Sequence, residues 1–532
     1  MTKWLRAFWK FLRSDVPIDW GNEPVKKTSE GSSALKVQES KQEVVVKPSE
    51  ESAYKEAPEP QTPIQEQQVE KKVIIQPSKE PLHVQIGLDF GTNCTKVCYS
   101  AGNFKKITPF RHRHNLTTYP DYTIPSIIAF DDKKNILFGG AAVSYIENDR
   151  WGLGIKNLKT LVASKSSDSF KDEISEQLYQ EYMASKNLNV EIYTPDLLTG
   201  MYLSYLMRRI SQNIKRIYST ENIDINFNIC MPIDYVQKNA VKERFERVFA
   251  VAELIYREWQ DADSDFNLLD TALKADKNAV YDENHPKTRV FAVPEAVAEM
   301  NAYLRSYQKK EGLHAIIDFG AGTTDVSLFN LIRFSSNPDS DAERSYWYSA
   351  TAIPQGTFKI EKIVADYLKI ATGESVKFKD VSAMLHNLRA KEDNDLAIRI
   401  RDESKKLVSS KIYRRTWTEA FVHLKKESLW HDVQIYVSGG GSQLPYFADF
   451  LSEPWHPHIA REKIRYPVEI LTKPDDFDVS EDIPFYRMAV AYGLTCPKPM
   501  LQKYTLPKDA PDHTPPPLPT KAIADKDELY PK

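Results

Sequence analysis

Ile86-Gly-Leu-Asp-Phe-Gly-Thr-Asn-Cys-Thr-Lys-Val-Cys-Tyr99 has a counterpart later in the chain, Ala315-Ile-Ile-Asp-Phe-Gly-Ala-Gly-Thr-Thr-Asp-Val-Ser-Leu328. Laid together without a gap, Asp89-Phe90-Gly91 falls on Asp318-Phe319-Gly320, Thr95 on Thr324 and Val97 on Val326. Each copy is an apolar strand, an Asp at its end, a tight turn containing Gly, and an alternating strand rich in Thr and Val. That is the pattern of a β-hairpin with a small-residue tip. Glycine lets backbone N–H groups turn towards an anion with no Cβ in the way. An Asp at the strand end can hold a hydrated Mg²⁺ beside the same anion. Two such hairpins predict a duplicated α/β fold that grips the phosphates of a nucleotide from both sides.

Composition narrows the alternatives. The chain has 532 residues, room for two or three domains of ordinary size. Its 71 basic and 74 acidic residues leave a formal charge of −3, which argues against a polyanionic partner such as nucleic acid. The four cysteines are Cys94, Cys98, Cys230 and Cys496. Three lie in apolar runs and no second pair offers metal-ligand spacing, so they read as small core residues in a reducing, cytoplasmic compartment. No apolar run is long enough to span a bilayer.

The ends read differently from the middle. In residues 1–20, Trp4, Leu5, Phe8, Trp9 and Leu12 recur at helical spacing while Lys3, Arg6, Lys10 and Arg13 take the other side. Such a basic amphipathic helix suits an anionic membrane surface, which would place the protein at the inner face of a membrane. A groove on a partner, or the protein's own body, would satisfy the same pattern. Residues 21–82 are Glu, Lys, Gln, Ser and Pro with few aromatics, a composition that predicts a disordered tether. Residues 499–532, with Thr514-Pro-Pro-Pro-Leu-Pro519, predict a Pro-rich, disordered tail.

Between them lies globular sequence. Tyr122–Phe130, Phe227–Pro232, Val290–Pro294 and Val433–Val437 read as strands. Thr194 can cap a helix whose first position is Pro195. Helices are expected over 238–259, 295–307, 381–410, 445–451 and 487–495, and residues 260–286 look like a polar insertion. The domain reading is 83–312 for lobe I, 313–486 for lobe II and 487–498 for a helix returning to lobe I.

Taken in order, these motifs resemble the ATPase domain of the seventy-kilodalton heat-shock (DnaK-type) proteins, within the actin, heat-shock protein and sugar-kinase superfamily. The similarity covers roughly residues 84–496. Asp89-Phe-Gly-Thr-Asn93 resembles the first phosphate motif, Asp318-Phe-Gly-Ala-Gly-Thr323 the second, and Ser438-Gly-Gly-Gly-Ser-Gln-Leu-Pro445 the adenosine motif. Glu295-Ala-Val-Ala298 and Ala489-Val-Ala-Tyr-Gly493 resemble the two connecting helices. Thr123-Ile-Pro-Ser126, Leu158-Lys-Thr-Leu161 and Ile229-Cys-Met-Pro232 favour the heat-shock branch.

The resemblance implies a duplicated, actin-like (ribonuclease-H-like) two-lobed ATPase with a nucleotide cleft between the lobes. It implies ATP or ADP, Mg²⁺ and a monovalent cation as cofactors. Asp89 and Asp318 would hold Mg²⁺ through its waters, and Gly91, Thr92 and Asn93 would line the phosphates. Gly320, Ala321 and Gly322 would do the same from the second hairpin. Lys159 would neutralise charge on the transferred phosphoryl group, with Lys156 the fallback if the register shifts. Glu295 would orient or deprotonate the attacking water. Thr323 would contact the γ-phosphate side, and Asp325 would stand behind the water or the monovalent cation. Gly356, Gly440 and Gly441 would approach phosphates and adenosine, and Glu403, Lys406 and Ser410 match the adenine-clasping helix.

Departures from the pattern fall at Asn93 (a threonine in the family), Cys94 (tyrosine), Ala321 (glycine), Ala296 (proline), Leu407 (basic) and Arg487 (acidic). No conventional peptide-binding domain is recognised after Thr495. The expected function is therefore an ATP-driven conformational switch acting on an unidentified protein partner. A membrane-associated, filament-forming ATPase is the alternative, and a small-molecule kinase a more distant one.

Overall fold

Strand β1 (Leu82–Asp89) is buried from Val84 onward because it is paired on both sides in the middle of a sheet. The computed structural model describes residues 80–505 except 104–105, 113–115, 117–118, 148–152, 166–170, 219–221, 233–238, 261, 263–265, 334–342, 374–375, 387–394, 425–426, 445, 454–464, 480–481 and 498–503. The helix expected at 1–20, the tether as far as residue 79 and the tail beyond residue 505 lie outside the described residues. Among the described residues, no helix is long and apolar enough to cross a membrane.

The architecture is mixed α/β. The first sheet is built from β1, β2 (Cys94–Ala101), β3 (Ile107–Pro109), β7 (Ile223–Met231) and β8 (Val290–Pro294), in the order β3-β2-β1-β7-β8. β4 (Ile124–Pro125) also pairs with β2, while β5 (Ile128–Phe130) and β6 (Ile136–Phe138) form a separate hairpin. The second sheet contains β9 (Gly312–Phe319), β10 (Thr324–Arg333), β11 (Glu343–Ile353), β12 (Gln434–Ser438), β13 (Val468–Ile470) and β14 (Tyr504–Thr505). Its order is β13-β12-β9-β10-β11-β14.

The two sheets share a pairing scheme. In the first, β1 pairs antiparallel with β2 and β2 with β3, while β1 pairs parallel with β7 and β7 with β8. In the second, β9 pairs antiparallel with β10 and β10 with β11, while β9 pairs parallel with β12 and β12 with β13. β1 and β9 thus occupy equivalent central places; β1 ends on Asp89, and β9 ends on Phe319, one residue past Asp318.

Helices cover these sheets. In the long Pro195–Tyr218 helix, Thr194 Oγ1 accepts from the Leu197 N–H at 3.2 Å, as the Thr-Pro start predicts. Its apolar face packs on the Asn239–Trp259 helix, and Asp196 reinforces the contact through Arg244 at 2.8 Å. Residues expected as a polar insertion instead include the helix Leu268–Asn278, which buries Thr271, Ala272 and Ala275. The single helical run expected over 381–410 is divided into Phe378–His386, Asp395–Lys406 and a π-helix, Leu407–Trp417. Within the expected tail, Tyr504 and Thr505 add a short parallel strand beside Ser345 and Tyr346 of β11.

Two helices lie between the sheets. Glu295–Arg305 leads from β8 to β9, and Phe485–Gly493 packs against both Glu295–Arg305 and the start of the first sheet. Asn228 of β7 holds the returning chain, donating to the carbonyls of Leu494 and Cys496 at 2.7 and 2.9 Å.

His314 of β9 reports on the second sheet. It is fully buried, lies among the rings of Tyr303, Phe329 and Tyr436, and its Nδ1 lies 2.7 Å from the Gly312 carbonyl, where a protonated Nδ1 donates. Burial lowers its pKa from 6.5 to about 4. The unfolded chain therefore binds a proton before the folded one does, and stability falls as pH drops from 6.5 towards 4. This one group contributes a loss of roughly 3 kcal/mol when the window is crossed completely. Denaturation of wild type and His314→Phe at pH 7 and pH 5 should show a smaller acid-side loss in the variant. Equal losses would mean that other groups carry the acid sensitivity.

Candidate functional site

The two Asp-ended hairpins face one cleft of about 160 Å³, lined by Asp89, Gly91–Asn93, Lys96, Lys159, Glu295, Asp318, Gly320, Ala321, Thr323, Asp325, Gly439–Gly441 and Arg487, among others. The tips of the hairpins touch. A Cβ on Gly322 would fall 2.5 Å from Thr160 Oγ1 and 2.7 Å from Thr92, so no larger side chain fits without displacing the facing loop. The second hairpin is also braced from behind, where the N–H groups of Thr357 and Phe358 donate to the carbonyls of Gly320 and Ala321.

Lys159 sits in the first turn of the Leu158–Ser164 helix and is buried. Its ammonium pairs with Glu295, the first residue of the Glu295–Arg305 helix, and lies 3.9 Å from Cys230 Sγ. The Cys230 thiol lies 3.3 Å from Glu295 Oε1 and 3.5 Å from Asp89 Oδ1, so it can donate to either. Burial opposes the charge on Lys159, but Cys230, Glu295, Asp325 and Asp89 around it hold its pKa well above the usual value. Burial also pushes the Cys230 thiol well above its ordinary pKa.

On the second hairpin, Thr323 Oγ1 donates to Asp325 Oδ2 at 2.9 Å. Burial, then the nearby Glu295 charge, push the Asp325 carboxyl well above its ordinary pKa. Asp318 is raised to about 7, by burial first and by Glu295 and Asp89, with Lys96 and Lys159 acting the other way. Glu299, one helical turn beyond Glu295, is raised well above the carboxylate range by burial and by Asp318, although Ser438 Oγ donates to it at 2.7 Å. Among the described residues, Glu295 Oε2, Glu299 Oε2, Asp318 Oδ1 and Asp325 Oδ1 are buried without a hydrogen-bond partner. Three of these, on Glu295, Asp318 and Asp325, belong to residues that line the cleft, as expected of a site built to receive protons, cations or donor-bearing ligands.

Among the described residues, three cations line this cleft. Besides Lys159, Lys96 Nζ lies 2.7 Å from Asp89 Oδ2. Arg487 lies beside Gly440, its Nη1 donating to Tyr122 Oη at 3.2 Å and its Nε buried without a partner among the described residues.

The sequence-derived residues divide into three groups. Asp89, Gly91, Thr92, Asn93, Lys159, Glu295, Asp318, Gly320, Ala321, Thr323, Asp325, Gly440 and Gly441 come together in the lining. Gly322 and Gly356 stand just behind it, packed on Thr92 and on the Gly320 and Ala321 carbonyls. Glu403, Lys406 and Ser410 are not in the lining. Glu403 pairs with Lys359 and accepts from Gln355 Nε2 at 2.9 Å, while Lys406 and Ser410 are exposed. The π-helix beginning at Leu407 explains the offset of Ser410. Its wider turns rotate the residues away from the face that a 3.6-residue period assigns them. Lys156, the alternative to Lys159, pairs with Glu361 of the Thr357–Thr372 helix at 3.6 Å instead.

Lys96 and Cys230 are the residues that sequence reading missed. Lys96 was discoverable, because a two-strand register around the turn puts it opposite Asp89. Cys230 needs the long-range pairing of β1 with β7, so its apolar strand gave no sign of a site.

A larger concavity of about 700 Å³ lies elsewhere, lined by Arg111, Arg208, Arg209 and Arg216 among others. None of the residues singled out from the sequence lines it. The smaller cleft is the better candidate because it gathers both motifs and the orphaned carboxylates. No known protein-family model matches the chain, and no curated protein matches it either.

Proposed function

We propose that this chain is an ATP-dependent switch related to the heat-shock ATPases. In this reading two lobes of duplicated, actin-like topology bind ATP between them, hydrolyse it slowly, and present different surfaces to a protein partner before and after. The observation that carries the proposal is the convergence of two equivalent Asp-ended hairpins, β1–β2 and β9–β10, in one cleft, each set in a sheet with the same pairing scheme. A cleft of about 160 Å³ suits phosphates better than a whole nucleotide, since small-molecule pockets usually run from about 300 to 1,000 Å³. Nucleotide entry would then require the lobes to part, breaking the Lys156–Glu361 ion pair that joins them.

The backbone of Gly91–Asn93 and Gly320–Gly322 would receive the phosphates, and Gly440–Gly441 the adenosine. Lys159 would neutralise the charge that develops on the transferred phosphoryl group. The free Oε2 of Glu295 would accept a hydrogen bond from the attacking water, and Thr323 would hold the far side of the γ-phosphate. Mg²⁺ would supply charge neutralisation on the phosphates when bound. Asp318, with an unpartnered oxygen, fits such an ion; Asp89, already engaged by Lys96 and facing Cys230, does not.

Calorimetric titration with ATP and an assay of phosphate release test the proposal. Binding with slow release is expected, and absence of both at millimolar ATP would refute it. Thr323→Ala should lower the turnover rate by about tenfold or more while ATP affinity stays within about threefold. Lost binding instead would remove Thr323 from its assigned role.

A further inference from the structure

Lys96 stands where a metal ion would be expected. It is the cross-strand partner of Asp89, immediately across the phosphate-binding turn, and its side chain is only 12 % exposed. Its ammonium lies 2.7 Å from Asp89 Oδ2, and a Cβ placed on Gly91 would come within 3.6 Å of it. The charge is therefore held at the mouth of the turn whose N–H groups would meet a phosphate. The second hairpin has no such cation, because the equivalent position, opposite Asp318, is Asp325.

The waters of a hydrated Mg²⁺ shared by Asp89 and Asp318 would compete with the Lys96 ammonium for Asp89. Asp89 is not free. One oxygen is bound by the Lys96 ammonium and the other faces the Cys230 thiol. Arg487 adds a second fixed cation on the adenosine side of the cleft, beside Gly440.

We propose that Lys96 is a resident cation that replaces the divalent metal at Asp89, so that the cleft binds nucleoside di- and triphosphates without requiring Mg²⁺. The ammonium neutralises Asp89 in the empty site and donates its remaining N–H groups to the nucleotide phosphates, an arrangement a flexible, three-donor lysine suits. The inference rests on the nucleotide-binding reading given above, and one experiment separates the two.

ATP and ADP are titrated into the full-length protein with excess EDTA and, separately, with Mg²⁺. The two affinities are expected to agree within about threefold, and Lys96→Met should weaken the metal-free affinity by about tenfold or more, the weight of one charge-assisted hydrogen bond. Lys96→Arg, which keeps the charge, should retain metal-free binding. Binding by wild type in Mg²⁺ but not in EDTA overturns this inference and leaves the nucleotide-binding reading standing. Binding under neither condition removes that reading and this inference with it. Metal-free binding that persists unchanged in Lys96→Met also overturns the role of Lys96. The wild-type comparison decides the metal requirement even if Lys96→Met fails to fold.

Discussion

Lys159→Met should destabilise the protein by about 3–5 kcal/mol, a large effect for a change that sequence alone would class as purely catalytic. The reason is its burial against Glu295. Both side chains are almost completely removed from water, at 3 % and 5 % exposure, and they pair directly. Removing the ammonium leaves Glu295 in a cavity that already contains Asp89, Asp318 and Asp325. The carboxylate must then either stay charged without a partner or take up a proton. Urea denaturation of Lys159→Met, Glu295→Gln and the double variant measures the coupling. The double variant should recover most of the loss, because an amide of the same shape needs no counter-charge. If the single change costs less than about 1 kcal/mol and the double variant recovers nothing, the pair is not the structural unit described.

Gly493→Ala should be the most damaging single methyl addition at the helix crossing. A Cβ at this position would lie 1.8 Å from the Ala298 carbonyl oxygen and 2.6 Å from its carbon. The obstacle is backbone, in the helix that also carries Glu295 and Glu299, so no rotamer change can relieve it. Either the Phe485–Gly493 helix moves away from Glu295–Arg305 or the interface breaks, at a cost of about 3 kcal/mol or more, the upper range for overpacked cores. Displacement would also carry Arg487 away from Gly440, so, under the nucleotide-binding role proposed above, weaker ATP binding should accompany the lower melting temperature. A variant with unchanged melting temperature and affinity would show that the two helices can separate freely.

The repeated motif made much of the fold legible. The alternation after each Asp, the small residues in the turns and the Thr-Pro helix start are local signals, set by φ/ψ preferences and side-chain periodicity, and all three appear as expected. Local reading failed where tertiary packing chose among local options. Residues 268–278 are polar enough to resemble a loop, yet they form a helix because Thr271, Ala272 and Ala275 find a surface to bury against. The Glu403, Lys406 and Ser410 set assumed an unbroken α-helix, and the π-helix from Leu407 changes which residues share a face.

By itself the sequence determined the pair of hairpins, the order of the glycine turns around them, and the candidacy of Asp89, Asp318, Lys159 and Glu295. The hairpins, Asp89 and Asp318 follow from residue types a few positions apart, whereas Lys159 and Glu295 follow from the order of motifs that carries the resemblance. The local hairpin register placed Lys96 opposite Asp89, but only the tertiary structure decided that Cys230 faces both Asp89 and Glu295 and that Arg487 reaches Gly440. Asp89 and Cys230 are 141 positions apart, and Gly440 and Arg487 belong to different elements. Whether such groups meet depends on how sheets and helices pack, and that packing sets the charge balance of the cleft. The opening hairpin offered an Asp ready for a metal; the folded chain had already supplied that Asp with a lysine.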